Sequence, residues 1–125
     1  MDGIESRRVE LVVDDDPVEV RYLTGGSGPP MVFLHGIGLD AATVSWRYAL
    51  EEFTEEYRVY ALDFPGHGES DRPDRTYTTE YYVSTLRAFR DSLGIEGGTL
   101  VGLSMGGAVA LGYTLDGGDA DRLVL

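Results

Sequence analysis

Cysteine is absent from the 125 residues, and histidine occurs only twice, at His35 and His67. Without cysteine the sequence offers no disulfide, no zinc–thiolate site and no thiol nucleophile. The two histidines and the scattered carboxylates also lack the spacing of a set of metal ligands. We therefore predict no metal site.

Lysine is missing as well, so all ten basic residues are arginines, and they stand against 22 acidic residues for a net charge of −12. Two interpretations remain open: an ordinary solvated acidic surface encoded by a GC-rich genome, or adaptation to a salt-rich cytosol. We favour the second, because at molar salt a Debye length of ~3 Å screens the repulsion between surface carboxylates. With either interpretation we expect no affinity for nucleic acid or for anionic membranes.

Long apolar runs are also lacking: the longest are short stretches such as Pro30–Leu34. A helix that crosses a membrane needs roughly twenty apolar residues. The start of the chain, Met1–Glu5, is acidic and has no apolar segment of the kind found in secretory signal peptides. These features predict a cytoplasmic location.

Strand patterns are spread along the whole chain. Residues 7–13 and 18–23 alternate polar and apolar side chains around a turn at residues 14–17, which predicts an antiparallel hairpin. Short apolar runs at residues 31–34, 58–62 and 99–103 are typical of strands buried on both faces of a parallel sheet. A further strand is predicted at residues 122–125.

Helices are predicted between these strands. Ala41–Phe53 forms the first, with Trp46, Leu50 and Phe53 directed toward the core. Thr79–Leu93 forms the second, capped by Thr78 or Thr79 and ended by Gly94, because its apolar residues recur at helical spacing. A third starts near Met105. Alternating strands and helices predict an α/β fold with parallel strands and crossover helices, as a single domain over residues 1–125.

The sequence Gly102-Leu103-Ser104-Met105-Gly106 is a Gly-x-Ser-x-Gly motif between a predicted strand and a predicted helix. In that setting the serine lies on a strained strand-to-helix turn, and glycines on either side remove side chains that would collide there. The helix N-terminus supplies N–H groups that favour a developing anion. We therefore predict Ser104 as a nucleophile and the Met105 amide as an oxyanion donor.

Two further motifs follow the ends of predicted strands. In His35-Gly36-Ile37-Gly38 the Ile37 amide is the second candidate oxyanion donor, the glycines let the backbone turn inward, and His35 is interpreted as structural. In residues 63–70 we expect Asp63 to accept backbone N–H groups within a turn that contains Gly66, His67 and Gly68. An acid–base pair of Asp63 and His67 is the less favoured interpretation.

Together, His-Gly-x-Gly at 35–38, Asp-x-x-Gly-x-Gly-x-Ser at 63–70 and Gly-x-Ser-x-Gly-Gly at 102–107 resemble the α/β-hydrolase superfamily. The resemblance is strongest to its small single-domain branch of esterases, proline iminopeptidases, cofactor-free haloperoxidase-like enzymes and meta-cleavage-product hydrolases. It implies a serine hydrolase that acts on a small ester, amide or related carbonyl substrate without a cofactor. Serine at position 104 argues against the dehalogenase and epoxide-hydrolase branches, which resemble this pattern but have aspartate there.

The resemblance covers only the N-terminal half of the family pattern. In the family the triad acid and histidine follow the serine, beyond the last strand of this sequence, and neither His35 nor His67 matches the catalytic position. We therefore expect the chain by itself to be almost inactive and to self-associate, or to bind a partner chain, through an unpaired sheet edge. The alternatives are a non-enzymatic fragment, half of a split enzyme, and a perhydrolase or haloperoxidase-like activity on the same fold.

Overall fold

A computed structural model describes residues 3–38 and 41–125, which form one mixed sheet with helices on both sides. The strands are β1 (Ile4–Val13), β2 (Asp16–Gly25), β3 (Pro30–Leu34), β4 (Arg58–Leu62), β5 (Thr99–Gly102) and β6 (Arg122–Val124). The helices are α1 (Ala42–Ser45), α2 (Ala49–Phe53), α3 (Thr79–Leu93) and α4 (Met105–Leu115). The strand order is β1-β2-β4-β3-β5-β6, with β1, β2 and β4 antiparallel and β4, β3, β5 and β6 parallel. The predicted α/β fold with its opening hairpin is confirmed.

The hairpin turn is shorter than the sequence analysis predicted. Asp16 and Pro17 already pair with Val13 and Val12, so only Asp14 and Asp15 connect the strands. Both aspartates have positive φ angles, 51° and 69°. Two-residue turns of this kind match the twist of the flanking strands, and aspartate tolerates the left-handed region better than most residues.

The single helix predicted over Ala41–Phe53 is wrong. The chain forms the short helices α1 and α2 instead, and neither has a side-chain N-cap hydrogen bond. Between them the ring of Trp46 packs against Phe33 at a centroid distance of 5.1 Å. Leu50 is fully buried, whereas Phe53 is 38% exposed. Burial of the large Trp46 side chain decides the local backbone here, because a segment without good caps has little helical stability of its own.

Helix α3 agrees with its predicted bounds. The Thr78 side chain accepts a hydrogen bond from the Tyr81 N–H, and Gly94 ends the helix in the left-handed conformation at φ 66°. The apolar face of α3 packs on one side of the sheet, where Leu86 and Phe89 are fully buried. On the other side, Phe33, Val59 and Ala61 pack with Leu50 of α2. The central strands are therefore buried on both faces, as their short apolar runs predicted.

Within residues 3–38 and 41–125, no helix combines the length and the apolar character required to cross a membrane. Strand β6 lies at one edge of the sheet and is paired with β5. Its Val124 and the following Leu125 are 53% and 68% exposed.

Candidate active site

Ser104 lies between the end of β5 and the start of α4, on a backbone that few residues adopt. Its φ and ψ angles are 55° and −115°. Asp14 and Asp15 in the hairpin turn are the other non-glycine residues with positive φ in the described part of the chain. Such strain costs on the order of 1–3 kcal/mol and persists only where the surroundings enforce it. The Ser104 side chain is exposed and makes no capping hydrogen bond to α4, so its hydroxyl faces solvent.

The surroundings that enforce this turn are closely packed backbone groups. A Cβ atom on Gly106 would lie 2.1 Å from the Leu34 carbonyl oxygen, and one on Gly102 would lie 2.6 Å from the Gly106 carbonyl oxygen. The Leu103 N–H also donates to the Leu34 carbonyl oxygen at 3.1 Å. The first turn of α4 therefore packs directly on the end of β3, and only glycine fits at the two contact points.

The N-terminus of α4 presents a backbone donor beside the Ser104 side chain. The N–H groups of Gly107 and Ala108 donate to the Ser104 carbonyl oxygen, and that of Gly106 donates to the Leu103 carbonyl oxygen. The Met105 N–H has no hydrogen-bond acceptor among residues 3–38 and 41–125. An unpaired N–H at the positive end of a helix dipole attracts an anion.

The second predicted donor lies in the loop that follows β3. Strands β3 and β5 are parallel neighbours with Leu34 opposite Gly102, so the loops that leave their ends adjoin one another. Ile37 is 68% exposed, and Gly38 has a φ angle of 90°. The topology thus brings the Ile37 segment and Ser104 to the same end of the sheet, where the parallel strands β3 and β5 terminate. The oxyanion hole itself stays a prediction.

His35 uses both of its ring nitrogens on backbone groups. Nε2 accepts a hydrogen bond from the Phe64 N–H at 3.0 Å, so Nδ1 carries the proton and donates to the Gly36 carbonyl oxygen. The ring is fully buried and contacts the rings of Phe64 and His67. In this arrangement the ring ties the end of β3 to the end of β4, and neither nitrogen is free to act as a general base.

Asp63, at the end of β4, is fully buried and its carboxylate is enclosed by donors. One oxygen, Oδ1, accepts the Ala42 N–H at 2.8 Å. The other, Oδ2, accepts the Glu69 N–H at 2.9 Å and pairs with the Arg21 guanidinium through Nε at 2.9 Å and Nη2 at 2.8 Å. A buried carboxylate requires such a full set of donors.

Arg21 is the main residue around the Asp63 carboxylate that was not predicted from the sequence. It belongs to β2, its side chain is buried, and its Nη1 also contacts the Glu69 carboxylate at 3.1 Å. The available signal was an arginine within a strand whose neighbours Val20 and Tyr22 are apolar, together with the partner that a buried Asp63 would need.

The contacts of the two glycines and the serine in the 63–70 segment explain why these residues stand at fixed distances from Asp63 in the sequence. A Cβ atom on Gly68 would lie 2.3 Å from Asp63 Oδ2, and one on Gly66 would lie 3.0 Å from the Tyr77 ring. The Ser70 hydroxyl donates to the Asp63 carbonyl oxygen at 2.6 Å and accepts the Arg21 N–H at 2.8 Å. The motif is thus a turn built around the Asp63 carboxylate.

Beside this turn, the Tyr82 hydroxyl donates to the Pro65 carbonyl oxygen at 3.0 Å. Burial raises the pKa of Tyr82 to about 12, so the phenol is neutral over the physiological range. A cavity of about 340 Å³ lies between this turn and the α1 region, lined by residues that include Gly38, Val44 and His67. Within the described residues, no three potential metal-binding side chains are grouped together.

A strained serine between a strand and a helix of a mixed sheet is the arrangement that characterises one class of protein, the α/β hydrolases. Residues 29–124 match the family model described as alpha/beta hydrolase fold. The chain belongs to this family.

Three relatives illustrate the similarity. The 2-hydroxy-6-oxo-6-(2'-aminophenyl)hexa-2,4-dienoic acid hydrolase of Metapseudomonas resinovorans is 37% identical over 113 residues, which are 89% of this chain and 39% of that enzyme. Human epoxide hydrolase 4 is 36% identical over 102 residues, covering 78% of this chain and 28% of that protein. A solved structure of CumD, a meta-cleavage product hydrolase from Pseudomonas fluorescens IP01, superposes with a TM-score of 0.85 at 31% identity, over 94% of this chain and 43% of that one. The chain therefore spans well under half the length of these relatives.

Proposed function

We propose that Ser104 is the nucleophile of a hydrolase that acts on a small ester, amide or related carbonyl substrate. The observation that carries the proposal is the backbone of Ser104, a non-glycine residue with φ 55° and ψ −115° between β5 and α4. That conformation exposes the hydroxyl at the end of a parallel strand and at the start of a helix, which is where an acyl-transfer nucleophile requires it.

In this mechanism the Ser104 hydroxyl attacks the substrate carbonyl, and the negative oxygen that forms is held by the N–H groups of Met105 and Ile37. A serine hydroxyl is a weak nucleophile at neutral pH unless a positioned base takes its proton. Both nitrogens of His35 bind backbone groups, and neither His35 nor His67 matches the catalytic position of the family. The base in our proposal is therefore a histidine outside this chain segment, oriented by an acid. The intermediate then collapses to an acyl-enzyme: the bond from the carbonyl carbon to the leaving group breaks, and the histidine passes its proton to the departing alcohol or amine. Water hydrolyses the acyl-enzyme and regenerates the Ser104 hydroxyl, and no cofactor takes part.

The names of the relatives leave two substrate classes for comparison. The Metapseudomonas resinovorans enzyme is named for hydrolysis of a dienoic acid, and the human relative is named an epoxide hydrolase. Serine at position 104 favours carbonyl chemistry, because a serine alkoxide forms a tetrahedral intermediate that the two backbone donors would stabilise. We therefore propose a carbonyl substrate rather than an epoxide.

A fluorophosphonate probe tests the proposal on the protein isolated from its own cells, with its intact mass measured in parallel. We expect covalent labelling that maps to Ser104 and disappears in Ser104→Ala. Labelling of the native protein elsewhere, or no labelling, would refute the nucleophile.

The same experiment separates the alternative, a non-enzymatic fragment or half of a split enzyme. A mass near 13.7 kDa with labelling only after a partner chain is added indicates a split enzyme. The same mass without labelling under any condition indicates a non-enzymatic fragment. A mass near twice that value, with labelling, indicates one longer hydrolase.

We also propose a cytoplasmic protein adapted to a salt-rich interior, on the strength of the net charge of −12. The unfolding midpoint should then rise as potassium chloride is increased from 0.1 to 2 M, by more than neutral sucrose produces, because salt screens carboxylate repulsion. A midpoint that falls or stays constant would contradict salt adaptation.

A further inference from the structure

Two consecutive residues at the end of β4 hold the chain on both sides of Ile37. The Phe64 N–H binds the ring of His35, which precedes Ile37, at 3.0 Å. The Asp63 carboxylate binds the N–H of Ala42, which follows Ile37 at the start of α1, at 2.8 Å. The chain is therefore fixed before Ile37, at His35, and after it, at Ala42.

Asp63 is fixed in turn by β2. Its Oδ2 accepts from Nε and Nη2 of Arg21 at 2.9 and 2.8 Å, so two charge-assisted hydrogen bonds hold that oxygen in place and leave Oδ1 to the Ala42 N–H. The main chain adds a second connection, because the Asp63 N–H donates to the Arg21 carbonyl oxygen at 2.9 Å. Both side chains are buried, so water does not compete for the pair.

The pair also extends toward the surface. Arg21 Nη1 contacts Glu69 at 3.1 Å, and the same carboxylate contacts the exposed Arg8 on β1 at 3.3 Å. The Glu69 N–H donates a hydrogen bond to Asp63 Oδ2 at 2.9 Å. The hairpin, which lies at the far side of β4 from β3, is thereby connected to the segment that carries Ile37.

We propose that Arg21 is a positioning residue for the oxyanion hole: its guanidinium orients Asp63, which anchors Ala42 and so fixes the Ile37 amide. This inference rests on the function proposed above. It assigns to the N-terminal hairpin a part in catalysis beyond completing the sheet.

The test uses the native-length polypeptide with p-nitrophenyl butyrate as substrate and compares two buried arginines. Arg21→Gln should lower kcat by about 10- to 100-fold with KM within about twofold, because small displacements of an oxyanion donor act on the transition state. Arg21→Lys keeps the charge and one contact to Asp63, and should recover most of the lost kcat.

Arg90→Gln is the matched control. Arg90 is 1% exposed and binds the carbonyl oxygens of Gly97 and Asp119, at the end of β5 opposite to Ser104. We expect this variant to have a lower Tm and an unchanged kcat. If Arg21→Gln behaves in the same way, with lower Tm and unchanged kcat, the positioning role is overturned.

Amide hydrogen exchange provides a readout that does not require activity. In Arg21→Gln the Ala42 amide should exchange about tenfold faster, because its charged acceptor is no longer held, while the Leu86 amide in α3 is unchanged. If Arg21→Gln does not fold, Arg21→Lys is measured instead, and the loss of one of the two contacts to Asp63 should give a smaller increase of about two- to threefold at Ala42. Unchanged exchange at Ala42 would overturn the anchoring. If the unmutated protein neither hydrolyses the ester nor labels at Ser104, the proposed function fails, and faster exchange at Ala42 would then leave a purely structural role for Arg21.

Discussion

Replacing Gly106 with alanine would place a methyl carbon 2.1 Å from the Leu34 carbonyl oxygen and 2.7 Å from that of His35. Side-chain carbons in proteins essentially never approach other heavy atoms closer than 3.0 Å, so α4 and the end of β3 would have to separate by about 0.9 Å. Overpacking of this kind costs typically about 1–3 kcal/mol, and more where the obstructing atoms belong to the backbone.

The neighbouring glycine supplies the control. A Cβ atom on Gly107 would have its nearest contact at 3.5 Å, from the Gly102 carbonyl oxygen. Alanine in a helix is favoured over glycine by about 0.5–1 kcal/mol. We therefore expect Gly107→Ala to be neutral or slightly stabilising and Gly106→Ala to be destabilising by about 1–3 kcal/mol in urea unfolding.

The two variants should also differ at the active site. A separation of about 1 Å between α4 and β3 moves the Met105 amide and Ser104 away from the Ile37 segment, and displacements of that size can cost about a hundredfold in rate. The assay is the rate of Ser104 labelling by a fluorophosphonate, measured on folded protein. Equal stability and equal labelling in the two variants would refute the close packing of α4 on β3.

Three further predictions concern pH and the hairpin turn. Because burial raises the pKa of Tyr82, its neutral phenol stabilises the fold fully below about pH 10, and this contribution is lost as the pH rises toward 12. Tyr82→Phe should therefore flatten the alkaline decline of Tm. An unchanged decline would contradict this contribution of Tyr82. The Asp119 carboxylate accepts the Gly97 N–H, which lowers its pKa, so its contribution is present above the ordinary aspartate pKa and is lost as pH falls below it. Asp119→Asn should accordingly lower Tm at pH 7 but not near pH 2, whereas an equal loss at both would exclude a charge effect. In the hairpin turn, replacing Asp14 and Asp15 by Asn-Gly should raise stability by about 0.5–1 kcal/mol, measured by urea unfolding, because both positions have positive φ; a lower stability would argue against the two-residue turn.

The succession of strands along the chain, with an antiparallel hairpin followed by parallel strands, could be predicted from the sequence, and so could helix α3. Its apolar residues Tyr82, Leu86 and Phe89 recur at helical spacing, and its cap residues Thr78 and Gly94 are the types that start and end helices. Periodicity of this strength follows from a single helix face packed on a single sheet face, so local sequence contains the necessary information.

The region between β3 and β4 could not be predicted in the same way. Its backbone is decided by the packing of Trp46 on Phe33 and by the anchoring of Ala42 on Asp63, and both contacts join residues that are distant in the chain. The pairing of Arg21 with Asp63 spans 42 positions and follows from the antiparallel contact of β2 with β4. A hydrophobic pattern indicates that Arg21 lies in a buried strand, but it does not identify the partner of a buried charge.

The proposed mechanism has two requirements: backbone groups held in fixed positions, and a base that accepts and returns a proton. The described residues meet the first requirement: Ser104 on a strained turn enforced by Gly102 and Gly106, and two amides on elements that β3 and β4 hold in place. Electrostatic stabilisation of this kind is effective because the donors are positioned before the charge develops. Among the described residues, packing of the turn on β5, α4 and the end of β3 balances the strain at Ser104. We therefore expect the geometry of the nucleophile to be set by this half of the fold, and the histidine that completes the proposed mechanism to determine the rate and not the placement of Ser104.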